Sequence, residues 1–244
     1  DQLGIVAFDY TVAANAEDVS QLAVTAINNG STIEDSLGDS AQFPNGPPTF
    51  ADVAIDPAAP SQDNNPCYCR GTLVRTPCGN KRVEKLQIGD EVMTASGAAR
   101  PIKWIGRRSY GGRFVMGRKD ILPVCIKTGA LADNVPRRDL WISPNHAMYF
   151  ADDLDGVLIE AKDLINGVSI VQAERVEQVE YFHIELDTHD VIIAEGAQSE
   201  SFIDDDSRGM FNNAHEYRVL YPAAATITRY CAPRLDEGYE VEAI

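Results

Sequence analysis

The most informative part of the sequence is CYCRGTLVRT at residues 67–76, followed by VEKLQIGDEV at residues 83–92. It joins short runs of β-branched and apolar residues through glycine-containing turn signals at residues 71–72 and 89–90. The sequence before Cys67 is rich in proline, glycine, aspartate and asparagine, as in FPNGPPTF (43–50) and DPAAPSQDNNP (56–66). Because the character of the sequence changes at Cys67, we predict that a β domain begins there.

Short β-like runs recur downstream of this stretch, each bounded by turn signals. They include IKWIGRR (102–108), LPVCIKTG (122–129), AMYF (147–150), GVLIEA (156–161), VEYFHIEL (179–186) and DVIIAE (190–195). Several short strands at this spacing predict an all-β fold with many hairpins. We expect helical turns only in ALADNVPRRD (130–139) and AKDLIN (161–166).

The remaining sequence predicts the organisation of the chain. Residues 3–12 and 20–27 are rich in β-branched residues and partly alternate, which predicts two strands. We therefore expect a small β-rich acidic module at residues 1–35, a linker at 36–66, the β domain at 67–202 and a C-terminal tail at 203–244 packed on that domain. Two prolines, Pro222 and Pro233, exclude one continuous helix in the tail.

Composition limits the classes of partner. The chain has 244 residues, 44% of them hydrophobic, and 37 acidic against 21 basic residues give a net charge of −16. Residues 1–66 hold ten acidic and no basic residues, so residues 67–244 carry −6, from 27 acidic and 21 basic. This balance disfavours nucleic acid as a partner. No apolar run approaches the roughly 20 residues of a membrane span and no signal segment opens the chain, so we expect a soluble fragment or a mature form.

Cysteine and histidine are the candidate reactive residues. The five cysteines cannot all pair within one chain, so at least one thiol stays free. Cys67 and Cys69 are too close for the usual zinc-knuckle spacing, and we expect no metal and no cofactor. Cys67 opens the β domain after a linker, which indicates a nucleophilic thiol that folding carries towards the imidazoles of His146, His183 and His189. A buried structural cysteine is the alternative interpretation.

Three motifs resemble blocks of the hedgehog/intein (Hint) family. Residues 67–92 look like its amino-terminal block, in which a cysteine lies four residues before Gly-Thr. The SPNH of residues 143–146 is similar to its Thr-x-x-His block, and Ser143 keeps the hydroxyl of the usual threonine. YFHIELDTHDVIIAEG (181–196) is similar to its carboxy-terminal block, where His189 is the nearest counterpart of the block's histidine. IKWIGRR and AEGAQSESF (194–202) are especially like bacterial Hint proteins.

The resemblance implies an all-β Hint fold with pseudo-two-fold halves and an N-to-S acyl shift at the Pro66/Cys67 bond. The thiolate of Cys67 attacks the carbonyl of Pro66, and a thioester replaces the peptide bond. His146 protonates the departing amide nitrogen. Ser143 supports that step, and its hydroxyl and nearby backbone N–H groups hold the oxyanion.

Later steps follow from the same resemblance. We expect His189, or else His183, to assist the breakdown of the tetrahedral intermediate. A splicing intein ends in His-Asn followed by Cys, Ser or Thr, whereas Asn213 is followed here by Ala214. We therefore predict cleavage without ligation, in which water, a thiol or an amine from outside resolves the thioester.

These steps make the chain's own N-terminal segment the substrate of a single-turnover autoproteolysis. Two alternatives are a cysteine peptidase that acts in trans and an inactive Hint domain that serves as a secreted structural module. An acidic β-rich module joined to a processing domain indicates a secreted or cell-surface protein.

Overall fold

The computed structural model of the protein describes residues 66–151, 156–204, 207–222 and 229–235, together with strand residues 22–23 and 49–50. The chain divides into two compact units, Asp1–Gln62 and Asp63–Ile244. In the first unit, β1 (Leu22–Ala23) pairs antiparallel with β2 (Thr49–Phe50). The first strand lies inside the strand predicted at 20–27, and the second lies in the range predicted as linker. The rest of the predicted module and linker, up to residue 65, lies outside the described residues.

Short strands make up most of the regular secondary structure in the described part of the second unit, which confirms the predicted all-β class. They are β3 (Tyr68–Cys69), β4 (Leu73–Thr76), β5 (Gly79–Arg82), β6 (Glu91–Met93), β7 (Ala99–Pro101), β8 (Trp104–Gly111), β9 (Val124–Ile126), β10 (Leu140–Ile142), β11 (Ala147–Phe150), β12 (Val157–Glu160), β13 (Ile170–Gln172), β14 (Gln178–Glu185), β15 (Val191–Ala194), β16 (Ala197–Glu200) and β17 (Arg234–Leu235).

Helix contributes little to this unit. The described α-helices are α1 (Gly112–Val115) and α2 (Ala214–Leu220), and 3-10 turns cover Val83–Lys85 and Arg208–Met210. The expectation of helical turns only at 130–139 and 161–166 is therefore wrong. Residues 161–164 form a hydrogen-bonded turn, in which the N–H of Leu164 donates to the carbonyl of Ala161 at 3.3 Å. No helix in the described ranges is long and apolar enough to cross a membrane.

Two larger sheets carry the strands. One has six strands in the order β13-β9-β10-β3-β14-β8, and the other has seven in the order β17-β12-β11-β16-β15-β4-β5. The chain passes from the first sheet to the second between β3 and β4, where Gly71 has a φ of +92° that other residues rarely adopt. Side chains from both sheets, among them Tyr68, Ile142, Met148 and Ile192, form one buried core. The strand that follows Cys67 is thus anchored in the middle of a sheet and against the core.

A tight hairpin positions the last strand before the tail. Glu195 and Gly196 connect β15 to β16, and both have positive φ, at 51° and 86°. Positive φ at both central residues is the geometry that a two-residue hairpin with type I′ twist requires. The carboxylate of Glu195 accepts a hydrogen bond from the N–H of Leu73 at 2.8 Å, which stabilises the turn. The hairpin aligns Glu200 opposite Val191.

The described parts of the chain after residue 202 contact the two sheets at separate places. Phe211 packs against Gly106 of β8, where an added Cβ would lie 2.6 Å from the ring. The last strand, β17, pairs parallel with β12, and the N–H of Leu158 donates to the carbonyl of Pro233 at 2.8 Å. Both contacts involve strands at or next to the edge of a sheet.

Candidate active site

The main chain of Cys67 is held by Ser143. The N–H of Cys67 donates to the Oγ of Ser143 at 2.7 Å, and the N–H of Ser143 donates to the carbonyl of Cys67 at 2.9 Å. Pairing of Ile142 with Tyr68 brings these residues together, and both Pro66 and Cys67 are buried. The hydroxyl of Ser143 therefore contacts the nitrogen of the Pro66/Cys67 peptide bond. Its predicted contact with the oxyanion stays a prediction.

A tight turn carries His146 back towards Cys67. The N–H of His146 donates to the carbonyl of Ser143 at 3.1 Å, and Pro144 occupies the second position, which its fixed φ favours. Two hydrogen bonds hold the turn in place: Ala161 N–H to the carbonyl of His146 at 3.0 Å and Lys162 N–H to the carbonyl of Pro144 at 2.8 Å. The SPNH motif thus positions a hydroxyl and an imidazole through one turn.

The rings of His146 and His183 lie together in the buried interior. Their centroids are 5.3 Å apart, and the His146 ring lies 4.4 Å from that of Tyr68. Phe202 contacts His183 at 5.2 Å between ring centroids. Neither nitrogen of either imidazole meets a hydrogen-bond partner among the described residues, although both side chains are fully buried. Such groups are uncommon and cost about 1 to 3 kcal/mol each, which marks this pair as functional candidates.

The surroundings keep both imidazoles neutral. Burial is the largest cause that lowers the pKa of His146 to about 4; the carboxylate of Glu200 opposes this shift, Arg234 adds to it, and the main chain of Cys67 opposes it. The main chain of Cys67 therefore lies near the ring, although the geometry falls short of a hydrogen bond. Burial also lowers the pKa of His183 well below its ordinary value. At neutral pH each ring therefore has one unprotonated nitrogen that can act as a base.

His189 belongs to an adjoining cluster. Its Nδ1 accepts a hydrogen bond from the N–H of Cys231 at 2.9 Å, which leaves the ring proton on Nε2. That nitrogen lies 3.3 Å from the Oε2 of Glu200, at ion-pair distance without the direction of a good hydrogen bond. The ring of Tyr230 lies 5.4 Å away. The structure thus brings Cys67, Ser143, His146 and His183 into one group and places His189 beside it, next to Glu200.

Glu200 is the site residue that the sequence analysis missed. Its side chain is fully buried, and its Oε1 accepts a hydrogen bond from the N–H of Ala147 at 2.8 Å. Its Oε2 accepts one from Arg234 at 2.8 Å. Burial raises the pKa of Glu200, but His189 and then Arg234 outweigh it, so the pKa is lowered and the group is a carboxylate. The signal in the sequence was its place in the AEGAQSESF stretch of residues 194–202.

Three of the other cysteines, Cys69, Cys125 and Cys231, are poorly suited to act as nucleophiles. Burial raises the pKa of Cys69, and it raises the pKa of both Cys125 and Cys231 to about 11. Each is therefore a neutral thiol at pH 7, and the thiolate is the reactive form. Cys69, Cys78, Cys125 and Cys231 have free thiols. Within the described ranges, no group of three His, Cys, Asp or Glu side chains is arranged to hold a metal ion.

Several solved structures and one family model are similar to part of this chain. Solved structures with a similar fold include an intein-like domain from Clostridium thermocellum (16% identity, TM-score 0.38, covering 55% of this chain and 96% of that one). A DnaB intein from Synechocystis sp. PCC 6803 matches at 13% identity and TM-score 0.38, over 57% of this chain and 100% of that one. The MchDnaB-1 intein matches at 15% identity and TM-score 0.37, over 54% and 98%. No curated protein matches the sequence.

The family model described as "Hint domain" matches residues 66–206. That span begins one residue before Cys67, includes both predicted histidine motifs and covers more than half of the chain. The resemblance predicted from the three motifs is therefore confirmed. This chain belongs to the Hint domain family.

Proposed function

We propose that this chain cleaves itself at the Pro66/Cys67 bond by an N-to-S acyl shift and does not join the flanking segments. The observation that carries the proposal is the contact at the scissile nitrogen, where the N–H of Cys67 donates to Ser143 at 2.7 Å. The buried ring of His146 follows in the same turn. Membership of a family that includes autoprocessing domains supports the reaction class.

The first step needs a proton acceptor for the thiol. The neutral imidazole of His146 takes the proton of Cys67 as Sγ attacks the carbonyl carbon of Pro66, so a C–S bond forms and the carbonyl oxygen gains the electron pair. The oxyanion then collapses and the C–N bond breaks. The imidazolium gives the same proton to the departing nitrogen. The pKa of about 4 makes this imidazolium a strong acid towards an amine.

The products of this step are a thioester at Pro66 and a free amine at Cys67, with no net uptake of protons. Ser143 holds the nitrogen while it becomes tetrahedral, because its hydroxyl accepts the N–H that persists through the step. Hydrolysis, or capture by a thiol or an amine from outside, then releases the segment that ends at Pro66.

Ligation of the flanks is opposed by the surroundings of Asn213. A cyclising asparagine must bring its Nδ2 to its own carbonyl carbon, but this amide is bound on both sides. Its Oδ1 accepts a hydrogen bond from the N–H of Arg107 at 2.8 Å, and its Nδ2 donates to the carbonyl of Ile105 and the carboxylate of Glu216, both at 2.9 Å. Ala214 follows and supplies no nucleophile.

The test is the intact mass of the freshly purified full chain over time, with and without dithiothreitol or hydroxylamine. The wild type should cut once, after Pro66, with a first-order rate constant that does not change on dilution. Hydroxylamine should leave a hydroxamate on the released segment. Cys67→Ala should stay whole, and His146→Gln should cut about 10² to 10⁴ times more slowly, the usual range for a lost general acid–base group.

Cys78→Ala is the matched control, because Cys78 is an exposed free thiol outside the site and should cut at the wild-type rate. A wild type that stays whole under every condition would remove autoprocessing as the function of this domain. A rate that rises with protein concentration would instead identify a peptidase that acts in trans.

A further inference from the structure

A segment outside the family match contacts the candidate site. The match ends at residue 206, whereas residues 229–235 lie along the edge of the seven-stranded sheet. There β17 pairs parallel with β12, and the buried side chain of Ala232 packs against Ala147 and Leu158. Because Ala147 directly follows His146, this added strand lies next to the main chain that carries the proposed acid–base group.

Arg234 projects from the added strand onto three acceptors. Its guanidinium donates to Glu200 at 2.8 Å, to Glu160 at 2.9 Å and to the carbonyl of Asn145 at 3.3 Å. The side chain is only 18% exposed. A planar guanidinium with several partners is held in one orientation, and a lysine cannot reproduce all of its directed bonds. One side chain therefore ties the SPNH turn, through Asn145, to the buried carboxylate.

The carboxylate of Glu200 completes the connection. One oxygen accepts the N–H of Ala147 at 2.8 Å, and the other faces both Arg234 and His189. The pair of Arg234 and Glu200 thus binds the main chain on both sides of His146, at Asn145 and at Ala147. A displacement of either partner would move the imidazole relative to Cys67.

We propose that Arg234 is a positioning residue of the acyl-shift site, which acts through Glu200 to hold His146 in place beside Cys67. The inference deepens the proposed function and rests on it. It also assigns a role to residues 229–235, which lie beyond the family match.

The charged and titratable groups around the imidazole predict how each substitution should change the pKa of His146. Tyr68 on β3, His183 on β14, Glu200 on β16 and Arg234 on β17 act on His146. Of these, Glu200 favours the imidazolium and Arg234 opposes it. Loss of the arginine cation should raise the pKa of His146, and loss of the carboxylate should lower it. Simple loosening of the structure would expose the ring and raise the pKa in both cases.

Histidine titration by NMR measures this directly. The full chain with Cys67→Ala, which cannot cut, is the parent, and His146→Gln assigns the resonance. Arg234→Gln should move the titration midpoint of His146 to higher pH, and Arg234→Lys should stay near the parent. Glu200→Gln should move it to lower pH. Shifts in the same direction for both Gln variants, or no shift in either, would overturn the proposal.

The pH profile of cleavage is the second measurement, with Cys67 intact. Arg234→Gln should move the acid limb of the first-order rate to higher pH, and Arg234→Lys, which keeps the charge but not all of the directed bonds, should keep the midpoint of the wild-type profile at a lower rate. If the wild type cuts and Arg234→Gln keeps its profile, the inference fails and the proposed function stands. If the wild type does not cut at all, the proposed function fails, and the positioning role fails because it depends on that function.

Discussion

Two buried arginine–glutamate pairs, whose arginines both follow β16, differ in what the glutamate also contacts. Arg208 pairs with Glu185 and with Asp204. Arg234 pairs with Glu200 and with Glu160. The two primary glutamates are nearly or fully buried, and each arginine has a second, partly buried carboxylate. As local chemistry the two pairs are alike.

Their surroundings are not alike. The guanidinium of Arg208 lies 3.4 Å from the ring centroid of Tyr217 and 4.9 Å from that of Trp104, and its glutamate has Lys103 as a further partner at 3.2 Å. Aromatic rings and a second cation make this pair a structural anchor for residues 207–222. The carboxylate of Glu200 faces His189 instead, and its charge acts on His146. The two ion pairs therefore differ in role because of the groups that each glutamate contacts, and not because of the ion pair itself.

The largest expected effect on stability lies at the structural anchor. Arg208→Ala should lower the free energy of unfolding by about 3 to 5 kcal/mol, the usual loss when one partner of a buried ion pair is removed. Urea unfolding of the Cys67→Ala background at pH 7 measures it. The pH profile of cleavage in the otherwise wild-type chain should keep its midpoint.

The exposed pair of Arg70 and Glu180 supplies the control for this experiment, since the side chain of Arg70 is 55% exposed. Arg70→Ala should leave the unfolding midpoint where it is. If Arg208→Ala moved the acid limb of cleavage as Arg234→Gln does, the two arginines would share one role and the distinction between the anchors would be lost.

Acid should weaken the domain through the two buried histidines, His146 and His183. His146 titrates near 6.5 when unfolded and near 4 when folded, so the unfolded state binds more protons between these values. The free energy of unfolding therefore falls as the pH decreases from about 6.5 to about 4, by about 3 kcal/mol for this group. The depressed pKa of His183 acts in the same direction.

Urea unfolding at several pH values between 7 and 4.5 in the Cys67→Ala background tests the slope. His146→Gln should flatten it, and His215→Gln should not, because His215 is exposed. An equal slope in His146→Gln would assign the acid sensitivity to other groups.

Much of the fold and part of the site could be predicted from sequence for a physical reason. Cys67, Ser143 and His146 lie in short motifs whose turns and strands are local. The reactive residues are therefore part of the same sequence patterns that predict the local structure. The β class from Cys67 onward followed from short runs between turn signals. His183 and His189 were both proposed for one later step, and that assignment stays a prediction; β14 carries His183, whereas His189 lies between β14 and β15.

The residues that sequence could not identify depend on long-range pairing. Glu200 is a single acid in a short strand, a pattern that ordinarily indicates a solvent-facing side chain. Its charged partner is Arg234, 34 residues later, and that contact depends on β17 adding to β12. The helix Ala214–Leu220 was missed in a similar way, because its buried Tyr217 packs against Arg208 and Trp104 rather than following a strong apolar period.

The smallest expected effects come from the second carboxylates, Asp204 and Glu160, and they test which carboxylate connects each arginine to its surroundings. Asp204→Asn and Glu160→Gln each remove one partly exposed partner of an arginine whose main partner remains. Each should lower the free energy of unfolding by about 1 kcal/mol or less. Neither should move the titration midpoint of His146 as far as Arg234→Gln does, because Glu200 keeps its own bonds to Ala147 and Arg234. If Glu160→Gln matched the shift of Arg234→Gln, the arginine would act through Glu160, and Glu200 would lose its place as the carboxylate that connects the added strand to the site.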